Sequence, residues 1–161
     1  MTWTLRAARR SDARAVAGLV RAAYSHYVQR IGGTPRPLTE DYAQVIGTRD
    51  VTIAERDGVV AGVIVLAIGD ARIVIENVAV LPAYQGLGLG RRLLEGAERD
   101  ARRGGFDSIY LYTHEKMTEN RRLYSRLGYV EYEPRSRRQA ALVYMRKQLA
   151  RPGEAEGTRH G

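Results

Sequence analysis

Apolar and polar residues alternate across residues 3–8, the period of a half-buried strand. Ser11-Asp12 then offers a helix N-cap, with Ala15, Val16, Leu19, Val20 and Ala23 at helical spacing behind it. Residues 24–36 are less regular, and Gly32-Gly33-Thr34-Pro35-Arg36-Pro37 has loop chemistry. A short helical run starts at Thr39 and passes through Tyr42, Val45 and Ile46. Residues 51–55 and 59–68 read as two strands joined by an Asp57-Gly58 turn. Gly69-Asp70 turns again into a strand over 72–81, so three successive strands predict an antiparallel meander.

In the second half the period changes. Leu89, Leu93, Leu94, Ala97 and Ala101 form the apolar stripe of a helix over 88–103, which Gly104-Gly105 stops. Residues 108–113 return to strand alternation, with Ile109, Leu111 and Thr113 on one face. A shorter helix over 118–127 ends at Gly128, and strands over 129–133 and 140–147 follow, with a basic turn at 135–138 between them. The order is β-α-α-β-β-β-α-β-α-β-β, which predicts an α/β domain with a single mixed central sheet over residues 1–149. Residues 150–161 are Gly-rich and aperiodic, and read as a flexible C-terminal tail.

A chain of 161 residues suits one domain with its own core. No apolar run approaches the ~18 residues of a membrane span, and residues 1–6 lack the apolar region of a signal peptide. The expectation is a cytoplasmic protein without a membrane partner. Cysteine is absent, which excludes disulfides, a thiolate nucleophile and Cys-ligated zinc. His26, His114 and His160 have no metal-ligand spacing, so no metal is expected. The net charge is +8, and only Lys116 and Lys147 of the 26 basic residues are lysine. Such an excess suits a nucleic acid, an anionic membrane or a phosphorylated ligand, or reflects composition bias toward Arg. The arginines are dispersed and no helix-turn-helix, zinc-finger or RRM signature appears, so nucleic acid is not expected.

The segment over 73–94 narrows the choice. A β-rich run meets Pro82, then a loop with Gly86, Gly88 and Gly90, then a helix. Glycines let bare backbone N–H groups approach a phosphate, and the helix N-terminus adds partial positive charge. Arg91 and Arg92 in the first turn oppose that dipole unless an anion sits there; the alternative is a plain β–α turn. The P-loop pattern is missing, and G-x-G-x-G spacing is not the Rossmann pattern.

Val78-Ala79-Val80-Leu81-Pro82-Ala83-Tyr84-Gln85-Gly86-Leu87-Gly88-Leu89-Gly90 closely resembles the signature of the GNAT superfamily of acetyl-CoA-dependent N-acetyltransferases: an apolar strand, Pro, then [Q/R]-x-x-G-x-[G/A]. Leu123-Tyr124-Ser125-Arg126-Leu127-Gly128-Tyr129 resembles the family's L-Y-x-x-x-G-[F/Y] segment. The element order agrees over nearly the whole domain.

The resemblance implies acetyl-CoA as co-substrate, an amine acceptor (small molecule or protein) and direct transfer in a ternary complex. An acyl-CoA-binding sensor without turnover is the alternative. Gln85, Gly86, Leu87, Gly88, Leu89, Gly90 and Arg91 would hold the pyrophosphate. Val78, Ala79 and Val80, on a bulged strand splayed from its neighbour, would pair with the pantetheine arm. Tyr124 would protonate the leaving thiolate; otherwise it is a core tyrosine. The family often has Asn seven residues earlier, where this chain has Met117, and Asn120 is expected to take over that contact. Glu76 is the first candidate for the base and Glu115 the second, while His26 and Tyr27 are candidate acceptor contacts. Homodimers are common in the family.

Overall fold

The computed structural model describes residues 2–135 and 139–150. The chain begins with strand β1 (Thr4–Ala7), then helices α1 (Ala13–Tyr24), α2 (Tyr27–Ile31) and α3 (Tyr42–Thr48). Strands β2 (Asp50–Arg56), β3 (Val59–Ile68) and β4 (Ile73–Val80) follow. Helix α4 (Leu89–Arg103), strand β5 (Ser108–His114), helix α5 (Thr118–Arg126) and strands β6 (Val130–Tyr132) and β7 (Leu142–Gln148) complete the described fold.

The strands form one sheet in the order β1-β2-β3-β4-β5-β7-β6, in which β4 and β5 are the parallel pair and the other neighbours are antiparallel. The predicted mixed α/β sheet is therefore present. The β2–β3 hairpin turns on Asp57 and Gly58, both at positive φ, as an Asp-Gly turn requires. Helix α2 is an addition to the predicted order, because residues 27–31 are too few to display a period. The expected α1 cap also differs. Asp12 stands at the N-cap but turns its carboxylate to Arg6 and to the Arg9 N–H, and residues 10–12 form a 3-10 turn instead. Asp41, not Thr39, starts α3: its Oδ1 accepts from the N–H groups of Ala43 and Gln44. Part of the predicted basic turn and nearly all of the predicted tail lie outside the described residues.

Both faces of the sheet are covered. On one side α4 and α5 bury Leu89, Leu93, Leu94, Ala97, Ala101 and Tyr124 against Ile64, Ile75, Ile109 and Leu111. Each fully buried Leu or Ile contributes about 1.5–3 kcal/mol. Close approach is built in at Gly62 of β3, where a Cβ would lie 3.0 Å from the Leu93 Cδ1. On the other side α1, α2 and α3 pack Val16, Leu19, Val20, Tyr24, Tyr27 and Tyr42 over Ile53, Val63 and Val65. Glu98, buried in α4, accepts from Tyr129 (3.1 Å) and pairs with Lys147 (2.7 Å), which ties α4 to β7.

Candidate active site

The site begins at an irregularity in β4. Val65 of β3 faces Asn77, whereas the next residue, Leu66, faces Ile75, so Glu76 is an extra residue in β4. The bulge exchanges the two faces of the strand. Ile73 and Ile75 before it join the α4 side, while Ala79 after it joins the α1 side and Val78 and Val80 pack toward α4. The parallel ladder to β5 holds only Val74–Tyr110 and Ile75–Leu111, so β4 leaves β5 at the bulge. Beyond it, the Val78 and Val80 carbonyls are met by side chains, the Tyr24 hydroxyl at 3.2 Å and the Gln85 Nε2 at 3.1 Å. In an extended strand the N–H and C=O of one residue point the same way. The N–H groups of Val78 and Val80 therefore face the cleft between β4 and β5.

The strand runs out into the Gly-rich turn. Gly86 and Gly88 have φ of +81° and +80°, and a Cβ built on either meets nothing within 4 Å. These residues are needed for backbone conformation, and the space they leave is open. Gly88 caps α4, whose first turn contains no acidic residue. The unpaired N–H groups of that turn, with the helix dipole behind them, form a site for an anion such as a pyrophosphate. Arg91 pairs with Glu95 one turn along, at 2.9 Å.

Tyr124 of α5 is buried against the α4 side of the core, its ring edge-on to Tyr129. Its hydroxyl makes no hydrogen bond among the described residues. No polar side-chain atom among them is both fully buried and unpartnered, so this oxygen keeps access to solvent. Burial raises the pKa of Tyr124, and nearby Tyr27 adds to it. Tyr24 is raised by burial first, then by Tyr124, Tyr42 and Tyr27, which places these tyrosines in one cluster. All are neutral donors at ordinary pH. Met117 fills the position where the family often has Asn, and its sulfur lies 3.8 Å from the Asn120 Nδ2 and 3.6 Å from the Thr113 Oγ1. Asn120 is thus adjacent to the position it is expected to replace.

A cavity of about 400 Å³ opens on the α1 side of the bulge. Tyr24, Asn77 and Met117 form part of its lining, with Tyr42, Arg36, Arg49 and Glu76 around them. The Tyr24 hydroxyl donates to the Asn77 Oδ1 at 2.7 Å, the Asn77 Nδ2 donates to the Tyr42 oxygen at 3.3 Å, and the Tyr42 hydroxyl donates to the Pro37 carbonyl at 2.6 Å. This chain orients Asn77 and fixes α1 and α3 to the bulge. The Glu76 carboxylate lies against the Arg49 guanidinium, with Arg36 3.9 Å away.

The remaining predicted residues lie elsewhere. His26 is exposed and stacks on Tyr27 at 3.9 Å. Tyr27 is buried, its hydroxyl donating to Glu119 at 3.3 Å, and neither residue lines the cavity. Glu115 lines a different pocket with Glu131 and Tyr144. Tyr24, Asn77, Tyr42, Arg36 and Arg49 were not singled out from the sequence. One signal was present: Asn77 is a lone amide within an apolar strand run.

The chain matches the acetyltransferase (GNAT) family profile over residues 19–129. It is 40% identical over 62 residues to N-alpha-acetyltransferase 80 of Mus musculus, a match covering 38% of this chain and 18% of that protein's length. The fold is similar to the PaiA N-acetyltransferase of Thermoplasma acidophilum solved in complex with coenzyme A, with a TM-score of 0.80, 18% identity, and coverage of 92% of this chain and 99% of that one. It is also similar to YncA of Salmonella typhimurium, solved with its cofactor acetyl-CoA, with a TM-score of 0.69, 24% identity, and coverage of 94% and 96%. The bulged and splayed strand, the Gly-rich turn and the matched profile together define an acetyltransferase domain. The chain belongs to the GNAT acetyltransferase family, whose acyl donor is acetyl-CoA. No helix among the described residues is long and apolar enough to cross a membrane.

Proposed function

We propose that this protein is an N-acetyltransferase moving the acetyl group of acetyl-CoA directly to a primary amine in a ternary complex. One observation carries the reading: the cavity at Glu76 and Asn77, the edge past the β4 bulge and the anion site at the Gly-rich turn follow one another in order along one strand and its exit.

The coenzyme pyrophosphate sits on the N–H groups of residues 86–91, with Gln85 holding the turn to Val80. Its pantetheine arm pairs with the free edge at Val78–Val80, alongside Asn120. A backbone N–H of that edge receives the thioester carbonyl and stabilises the tetrahedral oxyanion. The amine enters from the cavity and must first lose a proton, since an ammonium near pKa ~10 has no lone pair to attack with. Glu76 takes that proton, directly or through a water. The nitrogen then forms a bond to the acetyl carbon, and collapse of the adduct breaks the C–S bond. Tyr124 donates its hydroxyl proton to the departing sulfur, and the proton shed by the attacking nitrogen replaces it. The sum is amine plus acetyl-CoA giving amide plus coenzyme A thiol. No cysteine is present to form an acyl-enzyme, in keeping with direct attack.

Coenzyme thiol release from acetyl-CoA, measured across a broad panel of amines, tests this. Amine-dependent release matched by N-acetylated product in the mass spectrum is expected. Saturable acetyl-CoA binding with no amine-dependent release would instead make the domain an acyl-CoA sensor.

A further inference from the structure

We infer that the acceptor carries a carboxylate close to its amine, and that Arg49 selects it; this rests on the acetyltransferase reading above. The full charges on the cavity lining are Arg36, Arg49, Glu40 and Glu76, two of each sign. A polyamine or a dianion entering such a ring leaves charge without a counterpart. A zwitterion meets one partner of each sign.

The existing pairs do not saturate the ring. Arg36 is shared among Glu40 at 3.2 Å, the Tyr112 hydroxyl at 3.2 Å and Glu76 at 3.9 Å. Arg49 differs. It meets Glu76 through Nε alone, and its two Nη nitrogens have no partner among the described residues. Its side chain is 39% exposed, so this end of the fork is open to the cavity. A guanidinium edge of that kind binds carboxylate oxygens in parallel N–H···O bonds.

Spacing sharpens the chemistry. Glu76 and Arg49 are in direct contact, so a ligand using both must hold its ammonium and carboxylate close together. An α-amino acid does so, and so does a peptide N-terminus whose first residue is acidic. With the ammonium on Glu76, at the bulge where β4 leaves β5, the amine lies at the thioester end of the cavity. Ile31, Val45, Tyr42 and Tyr112 leave an apolar and aromatic volume for the acceptor's remaining side chain.

The test compares acids with their amides. Leucine against leucinamide and phenylalanine against phenylalaninamide form one arm. Peptides beginning with Asp against the same peptides beginning with Asn form the other. The readout is the acceptor KM at saturating acetyl-CoA, because the less basic amine of an amide changes kcat by itself. We expect the acid to have a KM lower by about tenfold or more in at least one arm, as a charge-assisted pair implies. Preference in the first arm assigns a free amino acid, and in the second a protein N-terminus. Arg49→Met should bring acid and amide to similar KM values, and Arg49→Lys should recover part of the difference. Unchanged acetyl-CoA affinity, read at the other end of the cleft, reports that the variants are folded. Equal KM values for acid and amide in both arms, or a preference that survives Arg49→Met, would overturn this inference while leaving the acetyltransferase reading intact. No thiol release in either arm, with release by other amines of the broad panel, would overturn this inference alone; no release across the whole panel would overturn both.

Discussion

At the scale of single residues, Tyr124 is where chemistry and packing conflict most. Its ring is part of the core and its hydroxyl has no hydrogen-bond partner among the described residues. Burial raises its pKa above the ordinary tyrosine value, which keeps the proton available but makes the group a weak acid. In the proposed reaction it would therefore act by donating a hydrogen bond as charge builds on sulfur, not by ionising beforehand. Tyr124→Phe keeps the ring, so the fold and acetyl-CoA affinity should hold. Turnover should fall by about a hundredfold, the lower range for loss of a positioned acid. Steady-state kinetics with calorimetry separates the two effects; unaltered kcat across the pH range would remove Tyr124 from the mechanism. The sequence made this residue a candidate because residues 123–129 resemble the family's L-Y-x-x-x-G-[F/Y] segment. Asn77 and Tyr24 were not candidates. Each looks ordinary alone, an amide in a strand and an aromatic ending a helix, and only their 2.7 Å contact across 53 positions gives them a role.

At the scale of elements, the residues themselves announce the turn into α4, whereas the bulge before it was expected only from the family resemblance, for physical reasons. Positive φ demands glycine locally, so Gly86 and Gly88 announce themselves. The bulge leaves no such trace, because burial alternates without a break from Ile73 to Val80. Both faces of the sheet are covered, so the strand can change face at Glu76 and still bury every second residue. Only pairing with β3 reveals the exchange. The short α2 and the individual polar residues of the cavity escaped for a related cause, since they depend on tertiary contacts and not on period. Gly88→Asp tests the anion site as an element. Asp tolerates left-handed backbone better than most residues, so the cost to stability should be about 1 kcal/mol. A carboxylate in the phosphate position should weaken acetyl-CoA binding by about two orders of magnitude, given two charge-assisted bonds lost to repulsion. Calorimetric titration giving wild-type affinity would exclude residues 86–91 as the phosphate site.

At the scale of the whole molecule, the +8 net charge acquires structure. Many arginines are used as clamps between distant segments. Arg6 joins Asp12 and Glu55, holding β1, the approach to α1 and β2 together. Arg30 joins Glu119, holding α2 to the start of α5. These clamps set how the fold responds to acid. Hydrogen bonding to Arg6 lowers Asp12 from its ordinary 3.8 to about 2, and Arg30 does the same for Glu119, from 4.5 to about 2. A carboxyl whose pKa is lower when folded binds protons more readily when unfolded, so stability rises with pH across that interval. The clamps therefore act in full above about pH 5 and are lost as pH falls from about 4 to 2. The same protonation leaves the positive excess less compensated, which adds self-repulsion to the loss. Asp12 should dominate, because its side chain is 13% exposed against 56% for Glu119 and is less screened by solvent. Urea midpoints for wild type should be level between pH 7 and 5 and then fall steeply. Asp12→Asn should lower the midpoint at pH 7 and flatten the acid limb, while Glu119→Gln should do both to a smaller degree. If Asp12→Asn lost stability with acid as steeply as wild type, the joint between β1, α1 and β2 would not be what acid opens, and the buried Glu98–Lys147 pair would be the next place to look.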